Sequence, residues 1–146
     1  MPAPTLQQIR TEIDTDPKAL GYATLKTQSN GPEAVADRMN QAGASAETLF
    51  KSYVPVEDIV ACIVRAEYDA LAAAGKTFLN EVLLRGSRVK SGDANVRAGM
   101  TGLFGAGTTT RTNLTNVASR PAARAEALWG ENVSITATQA ADAMAL

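Results

Sequence analysis

The sequence predicts an all-α fold, a small bundle of about six short helices with extended connections, forming a single helical domain over residues 1–146. Three observations predict it. Apolar residues recur at i, i+3, i+4 and i+7 in several windows, the spacing of one helical face. Proline and capping residues stand where those windows begin, and glycine where they end. Aromatic residues make up only 5% of the chain, so the core must be assembled from Leu, Val, Ile and Ala on closely approaching helices. A chain of 146 residues folding as one domain buries roughly 70% of its unfolded surface. The core is thin for that length, which suits a subunit whose apolar surface is completed by another copy and equally a small plain bundle.

Residues 5–13 place Leu6, Ile9 and Ile13 on one face and form a short amphipathic helix. It stops at Asp14-Thr15-Asp16-Pro17, because proline disfavours the helical region for the residue before it. Asp16 is then expected to cap a single turn that Pro17 opens and Gly21 stops. Residues 24–29 read as loop. Asn30-Gly31-Pro32 repeats the grammar and opens a helix through about Asn40, with Val35 and Met39 inward. Residues 42–53 read as a loop with a turn of helix, since Gly43 and Ser45 are turn-like while Leu49, Phe50 and Tyr53 call for burial.

The strongest helix starts at Pro55, with Val56, Ile59, Val60, Ile63, Val64 and Leu71 at helical spacing and Glu57, Asp58, Arg65 and Asp69 opposite. Gly75 ends it or marks a tight crossing, and residues 77–84 continue as a helix with Phe78, Leu79, Val82 and Leu83 inward. This pair is the expected core, with Cys62 buried in it as a small hydrophobe. Gly86 stops the second helix, and residues 87–92 are a basic, polar connection. Asp93 or Ser91 caps the next helix, whose Val96, Met100, Leu103 and Phe104 share a face. Gly99 and Gly102 weaken that helix and are expected where a neighbouring backbone comes close. Gly105-Ala106-Gly107 breaks the chain before Thr108 or Thr109 caps a helix to about Ala118. Ser119 is expected to cap another, with Pro121 in its first turn and Gly130 terminating it after Trp129. Val133-Ser134-Ile135 is extended, and Thr136 caps an Ala-rich last helix ending near Met144.

Chemically the chain is sparse. It has no histidine and one cysteine, which removes the commonest general base, any Ser-His or Cys-His nucleophile and a four-ligand zinc site. It is therefore not read as an enzyme, and no catalytic residue, cofactor or metal is expected. Asp14 and Asp16 read as a helix stop and cap rather than a cation site. Gly75-Lys76-Thr77 looks like the end of a phosphate-binding loop, but Ala70 stands where its first glycine belongs, and a helix precedes it. Gly105-Ala106-Gly107 lacks the third glycine of a dinucleotide fingerprint, with Thr110 in its place. The longest apolar run, residues 59–64, is far below the ~20 residues that span a bilayer. Neither a membrane span nor a leader is expected, which leads to assembly in the cytoplasm.

Net charge is −1, but it is segregated. Residues 1–75 hold six Lys/Arg against ten Asp/Glu, residues 76–124 eight against two, and residues 125–146 none against three. A basic middle between acidic ends suits a nucleic-acid-binding module using residues 76–124, or copies of one subunit meeting side by side. A pI near 5.4 and few aromatics to stack bases favour subunit contact. The candidate interface residues are Arg111, Arg120, Arg124, Glu126 and Trp129. Arg120 and Arg124 are four apart on the expected helix and share a face, and a guanidinium fork suits a neighbour's carboxylates better than an ammonium. A solvated basic face and contact with a DNA backbone are the competing readings.

Two groups of segments stand out together. One is Ile13-Asp14-Thr15-Asp16-Pro17-Lys18-Ala19-Leu20-Gly21-Tyr22, followed by Ala36-Asp37-Arg38-Met39-Asn40. The other is Gly107-Thr108-Thr109-Thr110-Arg111-Thr112-Asn113-Leu114 with Ser119-Arg120-Pro121-Ala122-Ala123-Arg124-Ala125-Glu126-Ala127-Leu128-Trp129-Gly130. Over most of its length the chain resembles small structural proteins of tailed bacteriophages. Within that set the resemblance implies a head-tail connector, or adaptor: a virion structural protein forming a homo-oligomeric ring beneath the portal protein. Such a ring is twelve-fold if it follows the portal, surrounds the channel that genomic DNA crosses, and meets a tail or stopper protein on its other side. The alternative within the resemblance is another neck or tail component. It implies no active site, cofactor or membrane, and places the protein in the virion neck after assembly in the host cytoplasm.

Overall fold

The computed structural model describes residues 3–146. Among them are ten helices and four short strands, in the order α1 (Leu6–Thr15), α2 (Tyr22–Leu25), α3 (Gly31–Asn40), β1 (Thr48–Phe50), β2 (Val54–Pro55), α4 (Val56–Cys62), α5 (Arg65–Asp69), α6 (Ala73–Leu84), β3 (Arg88–Val89), α7 (Ala94–Leu103), α8 (Thr109–Ala118), β4 (Ser119–Pro121), α9 (Arg124–Trp129) and α10 (Ala137–Ala145). The chain is mostly helical, as its periodicity implies. It is not the all-α bundle of about six helices expected, because its helices are shorter and more numerous and short strands accompany them. Two compact units form: one from the residues up to Leu49 together with Pro121–Leu146, the other from Phe50–Arg120.

In the first unit, α1 opens on a capping box. The Thr5 hydroxyl accepts from the Gln8 amide at 3.3 Å and the Gln8 side chain accepts from the Thr5 amide at 2.9 Å. At its other end Asp16 turns into the left-handed region, φ 38°. Asp16 does not cap a turn begun by Pro17. Its carboxylate accepts from the amides of Leu20 at 2.6 Å, Gly21 at 2.8 Å and Tyr22 at 3.2 Å, closing residues 16–22 into a loop. Those three donors would otherwise lack partners at the start of α2. Gly21, at φ 85°, therefore precedes α2 rather than stopping a turn.

Pro32 lies in the first turn of α3, as read. At the far end the Asn40 side chain pairs with Ile135 in both directions: Nδ2 donates to the Ile135 carbonyl at 2.7 Å, and the Ile135 amide donates to Oδ1 at 2.8 Å. One side chain thus supplies what a neighbouring strand would, and holds the extended residues ahead of α10. Thr136 and Gln139 form a second capping box at the start of α10. This helix packs on α3 and α1, and its buried Ala140 and Ala143 permit the approach. Ile9, Ile13, Tyr22, Val35, Met39, Trp129 and Ile135 fill the core between.

Ser119 does not cap a helix, and Pro121 is not in a first turn. Residues 119–121 are extended, because the backbone just beyond them is committed elsewhere. The Ala122 amide donates to the Glu47 carbonyl and the Gly43 amide to the Ala122 carbonyl, both at 2.9 Å. Helix α9 begins only at Arg124, where the Glu126 carboxylate accepts from the Ala123 amide at 3.2 Å.

The second unit corrects the strongest helical reading. The pattern from Pro55 to Leu71 is interrupted: α4 ends at Cys62, Ile63 is extended, and α5 starts at Arg65. Two side chains of α8 take up the backbone groups released there. The Thr110 hydroxyl accepts from the Val64 amide at 2.9 Å, and Asn113 Nδ2 donates to the Cys62 carbonyl at 3.3 Å. Buried main-chain groups need partners, and here a neighbouring helix supplies what the i to i−4 ladder would have supplied. Cys62 is half-buried at the edge of the core rather than inside it, with its thiol pushed up by burial and by the charge of Asp58. Phe50 and Tyr53, expected inside, are 42% and 52% exposed.

Gly75 lies within α6 instead of ending a helix. A Cβ there would stand 2.9 Å from Leu103 Cδ2, and one at Gly99 would stand 2.4 Å from Phe78 Cζ. Helices α6 and α7 therefore meet through a glycine on each, facing a side chain of the other. Gly102 faces open space, contrary to the expected close approach. Asp93 and Thr108 cap α7 and α8. Val54 on β2 lies opposite Val89 on the antiparallel β3, and both join a core with Ile59, Leu79, Met100, Phe104 and Leu114.

The two glycines of α7 should respond oppositely to a methyl group. Gly99→Ala should lose about 1–3 kcal/mol by overpacking against Phe78. Gly102→Ala should gain about 0.4–1 kcal/mol from the lower entropy of the unfolded chain. Urea denaturation of both variants checks the sign at each position.

Candidate functional site

Arg124, at the first position of α9, is 6% exposed. Its guanidinium grips Glu12 of α1 with two parallel bonds, Nε to Oε1 at 2.8 Å and Nη2 to Oε2 at 3.1 Å, while Nη1 donates to Glu47 Oε1 at 2.7 Å. Lys18 Nζ reaches the same Glu47 oxygen at 3.4 Å. Two carboxylates thus meet two cations, and the fork geometry is the one only arginine provides. Glu12 is itself 6% exposed. The pair joins residues 112 positions apart within the first unit. The hydrogen bonds and charges of Glu12 and Glu47 hold the Arg124 guanidinium well above its ordinary pKa, against the opposing effect of burial.

The other sequence-predicted interface residues divide between the units. Trp129 is buried in the first core. Glu126 is spent on backbone, with Oε2 on the Ala123 amide and Oε1 on the Asn132 amide at 3.1 Å. Arg120 lies half-buried on β4. Arg111 lies on α8 in the second unit, at the rim of a cleft. Arg120 and Arg124 are not on one helical face, because α9 starts after Arg120.

That cleft, of about 220 Å³, opens between α7 and α8 and is floored by Val96, Met100 and Leu114. Two arginines edge it. Arg97 stacks on Phe50, its guanidinium 4.4 Å from the ring centroid, and donates through Nη1 to the Ser91 carbonyl at 2.9 Å. Arg111 forms no ion pair among the described residues. An apolar floor with cationic edges accepts an apolar side chain flanked by a carboxylate. At the start of α8, just before Arg111, both oxygens of Glu67 accept from the Thr109 and Thr110 amides at 2.8 Å. The Thr110 side chain foremost, and then these amide bonds, lower the Glu67 carboxyl below its ordinary range against the opposing effect of burial.

No protein-family model, curated protein or solved structure matches this chain. Among the described residues no helix is long and apolar enough to cross a membrane. Gly75-Lys76-Thr77 falls in the first turns of α6, with Lys76 turned onto the Tyr68 ring and the Asp69 carbonyl. Sequence reasoning missed Glu12, Glu47 and Asn40. A signal existed for Glu12: it lies between Ile9 and Ile13 on the inward stripe of α1, and a carboxylate buried there requires a cationic partner.

Arg124→Met should cost about 3–5 kcal/mol, because it leaves Glu12 buried without a counter-charge. Glu47 makes a pH test possible. Burial pushes its carboxyl up, but the hydrogen bond and charge of Arg124, aided by Lys18, outweigh that and bring it below the ordinary value of 4.5. A carboxyl depressed in the folded state stabilises the fold above its unfolded pKa and loses that contribution as pH falls through the folded value. Wild-type urea midpoints should therefore fall as pH drops below 4.5, and Glu47→Gln should show a shallower fall over the same window.

Proposed function

We propose that the protein is a tailed-bacteriophage virion structural protein, a head-tail connector that assembles into a homo-oligomeric ring between a portal protein and a tail or stopper protein. One observation carries the reading. Three of the four segments behind the phage resemblance, residues 13–22, 36–40 and 119–130, are far apart in sequence and furnish fastenings of the first unit, while the fourth, residues 107–114, lies in the second unit. Asp16 closes the loop before α2, Asn40 holds Ile135, and Arg124 binds Glu12 and Glu47. Polar fastenings of this kind fix one framework for a subunit that must repeat identically in a ring. Charge supports repeated side-by-side contact: the second unit holds nine Lys/Arg against six Asp/Glu, and the first five against nine. Unlike charges on the two units give neighbouring copies complementary surfaces to match. The small helical subunit suits such a ring, and the protein is assigned no catalytic role, cofactor or membrane.

The test is assembly with the portal ring of the same virus, followed by light-scattering mass and negative-stain imaging. A ring bound at one end of the portal is expected. Failure to bind the portal would overturn the connector reading, and binding to tail proteins alone would transfer the protein to another neck or tail position. Steep, salt-sensitive binding of DNA near physiological salt, without portal binding, would favour the nucleic-acid module instead.

A further inference from the structure

We infer that copies of this chain join head to tail, with Leu84 of one copy seated in the α7/α8 cleft of the next and Glu81 beside it facing Arg111. The contact deepens the ring proposed above, and rests on that reading only in the claim that the series of copies closes.

Leu84 is 84% exposed, the most exposed of the large hydrophobic residues among the described residues. It lies in the last turn of α6, with exposed Glu81 one turn before it. The cleft offers the complement: an apolar floor, an open mouth, and two guanidinium groups, of which Arg111 forms no ion pair among the described residues. Arg97 is partly committed to Ser91 and Phe50. The carboxylate of Glu81 therefore has Arg111 as its natural partner. Arg85 falls about 100° round the helix axis from Leu84, away from the apolar knob.

The directions of the two features decide the kind of contact. Gly75 of α6 faces Leu103 of α7. Leu84 is nine residues further on, about two and a half turns, and so projects from the side of α6 opposite α7. On α7, Gly99 faces Phe78 of α6, while Arg97 and Thr101, each two residues away and just over half a turn round, line the cleft. Knob and cleft thus lie on opposite sides of the α6/α7 pair. Two copies cannot exchange such contacts across a two-fold axis; each copy offers its knob to one neighbour and its cleft to the other. A heterologous contact of this kind builds a closed ring or an open filament.

The experiment is sedimentation velocity of the full chain over a range of concentrations, with circular dichroism confirming that each variant is folded. Leu84→Asp removes the knob and Arg111→Glu spoils the cleft, and both residues have exposed or half-exposed side chains. Wild type should self-associate, and each variant should require at least about tenfold more protein for the same association, the scale expected for loss of a central anchor. Mixing the two variants should restore one contact, between the intact cleft of Leu84→Asp and the intact knob of Arg111→Glu. The mixture should therefore give a dimer that grows no further. Arg111→Glu combined with Glu81→Arg in one chain should recover self-association. A wild type that stays monomeric throughout, variants that associate like wild type, or a mixture without dimers would each overturn the proposal. Portal binding by wild type in any of those cases would leave the connector reading standing.

Discussion

The first unit depends on one guanidinium. Arg124 is buried, as is Glu12, and neither charge is tolerable there without the other. Their bidentate pairing joins α1 to the start of α9, and the third bond brings in Glu47, whose backbone carbonyl also receives the Ala122 amide. The long excursion through the second unit thus leaves and returns at a point fastened by both side chain and main chain. Asp16 and Asn40 complete the same task at the two ends of the α2/α3 segment. All three are polar groups spent on interior geometry, and they replace part of the apolar area that a chain poor in aromatics lacks.

The second unit solves a similar shortage differently. Its helices approach closely through Gly75 and Gly99, each accommodating a large side chain of the partner helix. Helix α8 is the organising element, since its Thr110 and Asn113 receive the interrupted backbone between α4 and α5, and its first amides receive Glu67. Its remaining face, with α7, forms the cleft. The apolar groups left outside these arrangements, Leu84 above all, are therefore exposed by construction.

Helix starts were legible in the sequence where a cap or a proline acts locally: Pro32, Asp93, Thr108 and Thr136 behave as read. Reading failed where a distant group decided the backbone. Nothing within residues 55–71 announces that Thr110 and Asn113 will take up the amide of Val64 and the carbonyl of Cys62, so a continuous helical period was the natural reading of a broken helix. Ser119-Arg120-Pro121 has the grammar of a helix start, and the main-chain bonds of Ala122 and Gly43 override it. Of the five candidate interface residues, Arg124, Glu126 and Trp129 carry internal duties in the first unit, because a burial pattern is set by packing and not by spacing alone. Arg111 reached a surface cleft, but the chemistry of that cleft comes from Phe50, Arg97 and Leu114, which no local pattern connects. The periodicity of residues 77–84 put Phe78, Leu79, Val82 and Leu83 inward and so left Leu84 off that face, but it could not show that no other element covers it.

The fold of the first unit turns on Arg124 acting through Glu12 as an internal fastening. A double-mutant cycle of Glu12→Gln and Arg124→Met, read by urea denaturation at neutral pH, measures that directly. A coupling of about 1–3 kcal/mol between the two sites is predicted, as for side chains sharing one ion-pair network. Effects that add to within about 0.3–0.5 kcal/mol would show that the two residues act independently and would contradict it.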